Sequence, residues 1–217
     1  MLCVLDSRIR MLENIYKRLA YEMKKIYDLK KDSWREDFFY AYGPQAKDTE
    51  RTFTDRDSSG ALIGDFDEKI NGYDYISAIT KEKLPASVTA TVKCTYRNTG
   101  APLIVFSDDF AKDGDALRYV LHYEVVAYKG GCNIWKVIPR PETPEWPVKS
   151  TKIAFAQFPI AEDEEIVIRA RIEGKTIFAS VNGNDLTITE DDIPESFHIG
   201  FTACEGFCSF SEFSIED

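Results

Sequence analysis

The segment IVIRARIEGKTIFASVNGNDLTIT, residues 166–189, decides the fold class. Ile166, Ile168, Ala170 and Ile172 alternate with Val167, Arg169 and Arg171, the period of two expected of a strand with one buried and one wet face. Glu173-Gly174 turns this strand into a second, Thr176 to Val181. Asn182-Gly183 then turns the second into a third, Asp185 to Thr189, and Asn-Gly is the dipeptide that best tolerates the two positive φ angles of a tight hairpin. Three consecutive strands joined by tight turns predict antiparallel neighbours in one sheet.

The same texture extends in both directions. Val88, Ala90, Val92, Cys94 and Tyr96 alternate with Ser87, Thr89, Thr91, Lys93 and Thr95, again one face buried and one wet. Pro102 to Phe106 is a short apolar run, and Arg118 to Tyr128 leads through Gly130-Gly131 into Cys132 to Ile138, a hairpin signal. Downstream, Phe197 to Ala203 and Phe207 to Ile215 flank Glu205-Gly206. Phe38-Phe39-Tyr40-Ala41-Tyr42 stops at Gly43-Pro44, the stretch from Asp48 to Asn71 is polar and unassigned, and Pro139, Pro141, Pro144 and Pro147 mark a loop. About ten to twelve strands result, with no internal repeat, which predicts an all-β, two-sheet antiparallel sandwich over residues 33–217.

The first residues read differently. Leu2, Leu5, Ile9, Leu12, Tyr16, Leu19, Met23 and Ile26 recur at alternating steps of three and four, so an amphipathic α-helix is expected over residues 1–32. Such a seam fits packing against the chain's own sandwich, and it equally fits pairing with a second copy as a homodimer.

Composition narrows the function. The 217 residues carry 27 Lys+Arg against 37 Asp+Glu, a net charge of −10, which opposes a phosphate-tracking surface and excludes nucleic acid as the expected partner. No apolar run has the length of a membrane span, and Met1 to Leu5 meets charge at Asp6, too short for a signal peptide. A cytoplasmic protein is expected, or a secreted one if a leader was removed. The five cysteines, Cys3, Cys94, Cys132, Cys204 and Cys208, are an odd number set in apolar runs, which predicts buried thiols in place of a disulfide framework.

A turn at Gly130-Gly131 pairs Tyr128 with Asn133, Val126 with Trp135 and Glu124 with Val137. One face of the hairpin then carries His122, Glu124, Tyr128, Asn133 and Trp135, and the other carries Tyr123, Val125, Ala127 and Ile134, with Lys136 out of place among them. The closing segments, Ile177 to Leu186 through Val181-Asn182-Gly183, Phe197-His198-Ile199-Gly200-Phe201 and Phe210 to Ile215, resemble the concanavalin A-like lectin/glucanase superfamily. The resemblance covers roughly residues 34–217 and implies a jelly roll whose concave face takes an oligo- or polysaccharide. On that reading Trp135 and Tyr128 stack on sugar rings, while His122, Glu124, Asn133 and Arg169, joined by Arg171, bond hydroxyls. The superfamily also holds glycoside hydrolases, polysaccharide lyases and protein-interaction modules, so glycan cleavage on the same face and protein interaction remain the alternatives.

Motifs for catalysis are incomplete. Glu190-Asp191-Asp192-Ile193-Pro194-Glu195 formally matches the E-x-D-x-x-E pattern of laminarinase-like members, but Pro194 and the polar surroundings place it in a loop. Glu124 with Glu173, or with a carboxylate on a neighbouring strand, offers an acid/base pair, and His122, Tyr128 and Arg169 offer the residue types of a lyase without its motifs. Asp108-Asp109, Asp113-Gly114-Asp115 and Glu190-Asp191-Asp192 supply oxygens suited to Ca²⁺ but no complete ligand spacing, so no cofactor is expected beyond an optional structural calcium. Cys204 and Cys208 lack the second pair that a zinc site needs.

Overall fold

A computed structural model describes residues 24–43, 48–66, 75–140, 142 and 148–217. In chain order the strands are β1 (Lys25–Asp28), β2 (Phe38–Ala41), β3 (Leu62–Asp65), β4 (Tyr75–Thr80), β5 (Leu84–Pro85), β6 (Thr89–Arg97), β7 (Leu103–Ser107), β8 (Phe110–Asp113), β9 (Ala116–Tyr119), β10 (His122–Tyr128), β11 (Gly131–Pro139), β12 (Val148–Gln157), β13 (Ile166–Glu173), β14 (Thr176–Val181), β15 (Asn184–Thr189), β16 (Ser196–Cys204) and β17 (Phe207–Glu216). Two large antiparallel sheets result. The first runs β1-β17-β6-β13-β14-β15 with β3 also on β17, and the second runs β12-β11-β10-β7-β16-β4-β2 with β5 on β16. This is the concanavalin A-like jelly-roll sandwich that the sequence implied, with more strands than the ten to twelve counted there.

The turn chemistry behaves as the residues require. Asn182 and Gly183 both take positive φ, 50° and 79°, and Val181 pairs directly with Asn184. The hairpin between β10 and β11 turns one residue earlier than the Gly-Gly dipeptide suggests. Tyr128 pairs with Gly131, so Lys129 and Gly130 form the loop, and Gly131 belongs to the ladder at φ 132°. Its lack of a side chain is needed there, because a Cβ would lie 2.1 Å from the Ala156 carbonyl oxygen of β12. The register therefore slips by two residues, pairing Glu124 with Trp135 and Val126 with Asn133. A slip of two preserves the pleat, so every side chain keeps the face assigned to it.

Between the sheets lies the main core. Tyr123, Val125, Ala127 and Ile134 of the hairpin's inner face meet Ile166, Ile168, Ala170 and Ile172 of β13. At one end, Phe38, Phe53, Phe201, Phe210 and Phe213 pack in tilted and edge-to-face pairs at centroid separations of 5.2–6.2 Å. Each buried ring is worth about 2–3 kcal/mol by area alone. Lys136 escapes this core by laying its ammonium 2.7 Å from Glu190 Oε2 and over the Tyr123 ring. Cys94, Cys132, Cys204 and Cys208 are buried free thiols, as their apolar settings predicted.

One expectation is corrected at the start of the described chain. Lys25–Asp28 is an edge strand on β17, so the predicted helix does not extend over these residues. Tyr27 packs against Phe38 and Phe213 while Ile26 is 55% exposed, an in-and-out alternation that tertiary pairing imposes over the helical spacing of Met23 and Ile26. The remainder of the expected helix, and the dimer seam it would form, lie outside the described residues.

The outer face of the second sheet is itself half covered. β8 and β9 form a separate two-stranded ribbon, and a Tyr42–Arg118 bridge attaches it beyond β2. Phe110 and Tyr119 fold over Phe39, Ile79, Leu103 and Val105, creating a second, smaller apolar cluster on that face. Among the described residues, the part left uncovered is that built by β10, β11 and β12.

Candidate functional site

Three rows of side chains cross that uncovered part. Register places Val105, Glu124, Trp135 and Lys152 side by side on β7, β10, β11 and β12. A second row is Leu103, Val126, Asn133 and Phe155, and a third is Ser107, His122, Val137 and Ser150. From these rows Leu103, His122, Glu124, Val126, Asn133, Trp135, Val137 and Ser150, together with Tyr75, Tyr128, Lys129, the Asn98–Ala101 loop, Val148, Cys204 and Glu205, line a cavity of about 530 Å³. Five sequence-predicted residues, His122, Glu124, Tyr128, Asn133 and Trp135, line it together.

His122 and Glu124 form its most buried polar pair, 1% and 5% exposed. The imidazole Nδ1 lies 2.8 Å from the Val120 carbonyl oxygen, which only accepts, so Nδ1 carries a hydrogen. Nε2 then faces Glu124 Oε1 at 3.1 Å, and the two share a second hydrogen. The Tyr119 ring, 4.8 Å from the imidazole, seals the pair on the ribbon side. No further hydrogen bond to Glu124 forms among the described residues, so its other oxygen is left to the cavity. Asn133 is 8% exposed and its Oδ1 is buried without a partner, which costs about 1–3 kcal/mol unless something else supplies a donor. Burial holds the Tyr75 phenol well above its ordinary range, with the Glu124 carboxylate adding to the effect. It does the same to the Cys204 thiol, which is accordingly an un-ionised wall and no nucleophile.

Glu205 is a site residue that the sequence reading passed over. It occupies the turn between β16 and β17 at φ 53°, a left-handed conformation that a glutamate adopts at a cost, and burial raises its carboxyl above the ordinary value. The available signal was a Glu at a turn position where Gly or Asn is the ordinary choice. Phe155 was missed for another reason: Ile153 is an extra residue opposite Ile134 and Trp135, and this bulge breaks the alternation by which β12 would have been read.

Arg169 and Arg171 do not join the site. Both sit on β13 in the other sheet, facing solvent, where Arg169 pairs with Glu216 at 3.0 Å and Arg171 with Glu173 at 3.1 Å. Their alternation located them on a wet face, but period two cannot say which sheet that face belongs to. Glu173 shares their sheet and is likewise apart from Glu124. Glu190 and Asp191 pair with Lys136 and Lys175 in a loop after β15, as the proline there implied. Among the described residues no three His, Cys, Asp or Glu side chains converge as metal ligands.

No protein-family model matches the chain, and no curated protein matches it in sequence. Solved structures do match in shape. A carbohydrate-binding module, CBM66 from Bacillus subtilis, superposes with a TM-score of 0.51 at 15% identity, over 72% of this chain and 92% of the module. A protein of unknown function with a galectin-like fold, also from Bacillus subtilis, gives 0.54 at 14% identity over 89% and 98%. A Bacillus licheniformis β-glucanase gives 0.55 at 8% identity over the same shares. The chain therefore has the concanavalin A-like jelly-roll fold, one whose members include sugar binders and sugar hydrolases.

Proposed function

We propose that the protein binds a carbohydrate in the cavity on the outer face of the second sheet. The observation that carries this reading is Asn133, an amide buried in the cavity wall beside two half-buried aromatic residues and left without a hydrogen-bond partner. A pyranose or furanose offers what the wall lacks: hydroxyl donors for Asn133 Oδ1 and Glu124, and an apolar C–H face for Trp135 and Tyr128. The carbohydrate-binding module among the structural neighbours supports the assignment at the level of the fold. Polar contacts of this kind nearly exchange with water, so affinity is expected to be modest.

A screen of immobilised glycans tests it, with Trp135→Ala and Asn133→Ala as controls. Asn133→Ala removes no hydrogen bond among the described residues, so it should leave the Tm unchanged and abolish the signal. Binding that survives both substitutions would remove this cavity from consideration.

A second reading is glycan cleavage. Glu124, coupled to His122, and Glu205, with its raised carboxyl, are two carboxyls in different environments on one cavity, which is the division of labour an acid/base pair needs. A reducing-end assay on any glycan that binds separates the readings: product that disappears in Glu124→Gln and Glu205→Gln would make the protein a glycosidase.

A further inference from the structure

Resting on the carbohydrate reading above, we infer that the site takes the end of a glycan chain and that Phe155 forms a second binding position outside the cavity. Two observations carry this. The first is the exposed aromatic group at the sheet edge. Phe155 is 59% exposed on β12, directly across from Asn133, and the Lys152 ammonium lies 5.3 Å from the Trp135 ring centroid and 5.8 Å from that of Phe155. Phe155 is the most exposed of the large apolar side chains among the described residues, ahead of Ile26 and Ile138. Its neighbour across the ladder is the unpartnered amide of the cavity wall, so pocket and ring form one continuous surface. One strand spacing, about 4.8 Å, separates them, close to the advance of one sugar unit along a chain.

The second observation is the direction in which this surface is closed. Following the same rows away from Phe155, the sheet passes under the β8–β9 ribbon, where Tyr119 is 2% exposed and packs with Val105, Leu103 and Ile79. A chain lying across the strands cannot continue past that wall. Among the described residues the open side is that over β12, the edge strand. A groove blocked at one side and open at the other accepts a terminus, with the last unit in the cavity against Asn133 and Glu124 and the next unit stacked on Phe155. Lys152, held between the two rings, donates to the hydroxyls of the unit that bridges them.

The test uses the full chain and calorimetric titration with oligosaccharides of one to six units from β-1,4-glucan, β-1,3-glucan, β-1,4-xylan, β-1,4-mannan and β-2,6-fructan. The wild-type protein is expected to gain affinity from one to two units and little beyond three, and to bind one protein per chain whatever the chain length. Phe155→Ala, an exposed substitution that keeps the fold, should lose about tenfold on longer chains and stay within about twofold on the single unit. Equal losses at every length, no loss at all, or a stoichiometry that grows with chain length would overturn the chain-end arrangement while leaving the cavity reading intact. Absence of binding by the wild type to every series would overturn both, and the Tm of each variant distinguishes either result from misfolding.

Discussion

Replacing His122 by Ala should destabilise the protein mainly by orphaning Glu124. The substitution removes the Nδ1–H bond to Val120 and the Nε2 contact to Glu124 Oε1, and it opens space beneath Tyr119. Deleting one member of a buried polar pair costs about 3–5 kcal/mol, most of it from the partner left behind. Because Glu124 keeps one oxygen on the cavity, where water can reach it, the cost here sits at the lower end, about 3 kcal/mol. Glu124→Gln has a different consequence. The amide has the same shape and can donate an N–H to Nε2, so the loss is about 1 kcal/mol. The two changes should not add. In the His122→Ala background Glu124→Gln replaces an orphaned carboxyl by a neutral amide and should restore about 1–2 kcal/mol. Urea unfolding of the four proteins at pH 7, with a common m-value, measures the cycle. Simple additivity, or a His122→Ala loss below about 1 kcal/mol, would refute the view that this pair is coupled and desolvated.

Three further outcomes follow from named contacts. Asp57 accepts from the Ser59 and Ala61 amides, the Ser59 hydroxyl and the Ser209 hydroxyl; burial pushes its carboxyl up, but these bonds outweigh it and hold the group below its ordinary 3.8. Asp57→Ala should cost about 2–3 kcal/mol by chemical denaturation. The unfolded chain binds the extra proton, so this contribution is full above pH 3.8 and lost as pH falls below it, and the variant should show a shallower acid limb than the wild type. Glu205→Gly should stabilise by about 1 kcal/mol, since glycine takes the left-handed turn freely. Burial raises the Glu205 carboxyl above its ordinary 4.5, so what the glutamate contributes is full below that pH and lost as pH rises through the raised value; the glycine gain should therefore be larger at pH 7 than at pH 4. Arg169→Ala and Arg171→Ala should leave glycan affinity unchanged in the same titrations, because both lie on the opposite sheet; a loss beyond twofold would contradict the site.

How much of this was legible in the sequence depends on what each signal encodes. Alternation encodes a face, and the face of the β10–β11 hairpin was read correctly through a register error, because Tyr128 pairing with Gly131 in place of Asn133 moves every partner by an even step. Had the slip been one residue, Glu124 and Trp135 would have fallen on opposite faces of the hairpin, and one strand would have turned its polar set into the core. What alternation does not encode is which sheet a strand joins. Arg169 and His122 carry equally good polar-face patterns, yet β13 and β10 lie in different layers, a separation fixed by long-range pairing with β6 and β7 respectively. Local deviations hide the rest. The bulge at Ile153 conceals β12 and with it Phe155, while the β8–β9 ribbon owes its place to packing against Phe39 and Ile79 and leaves no period to read. Three of the irregular features lie at the cavity: a bulge beside Trp135, a left-handed glutamate at its rim and an unpartnered amide oxygen in its wall. Regular patterning built the sandwich, and a ligand that satisfies Asn133 and covers Phe155 would account for these departures from it on physical grounds.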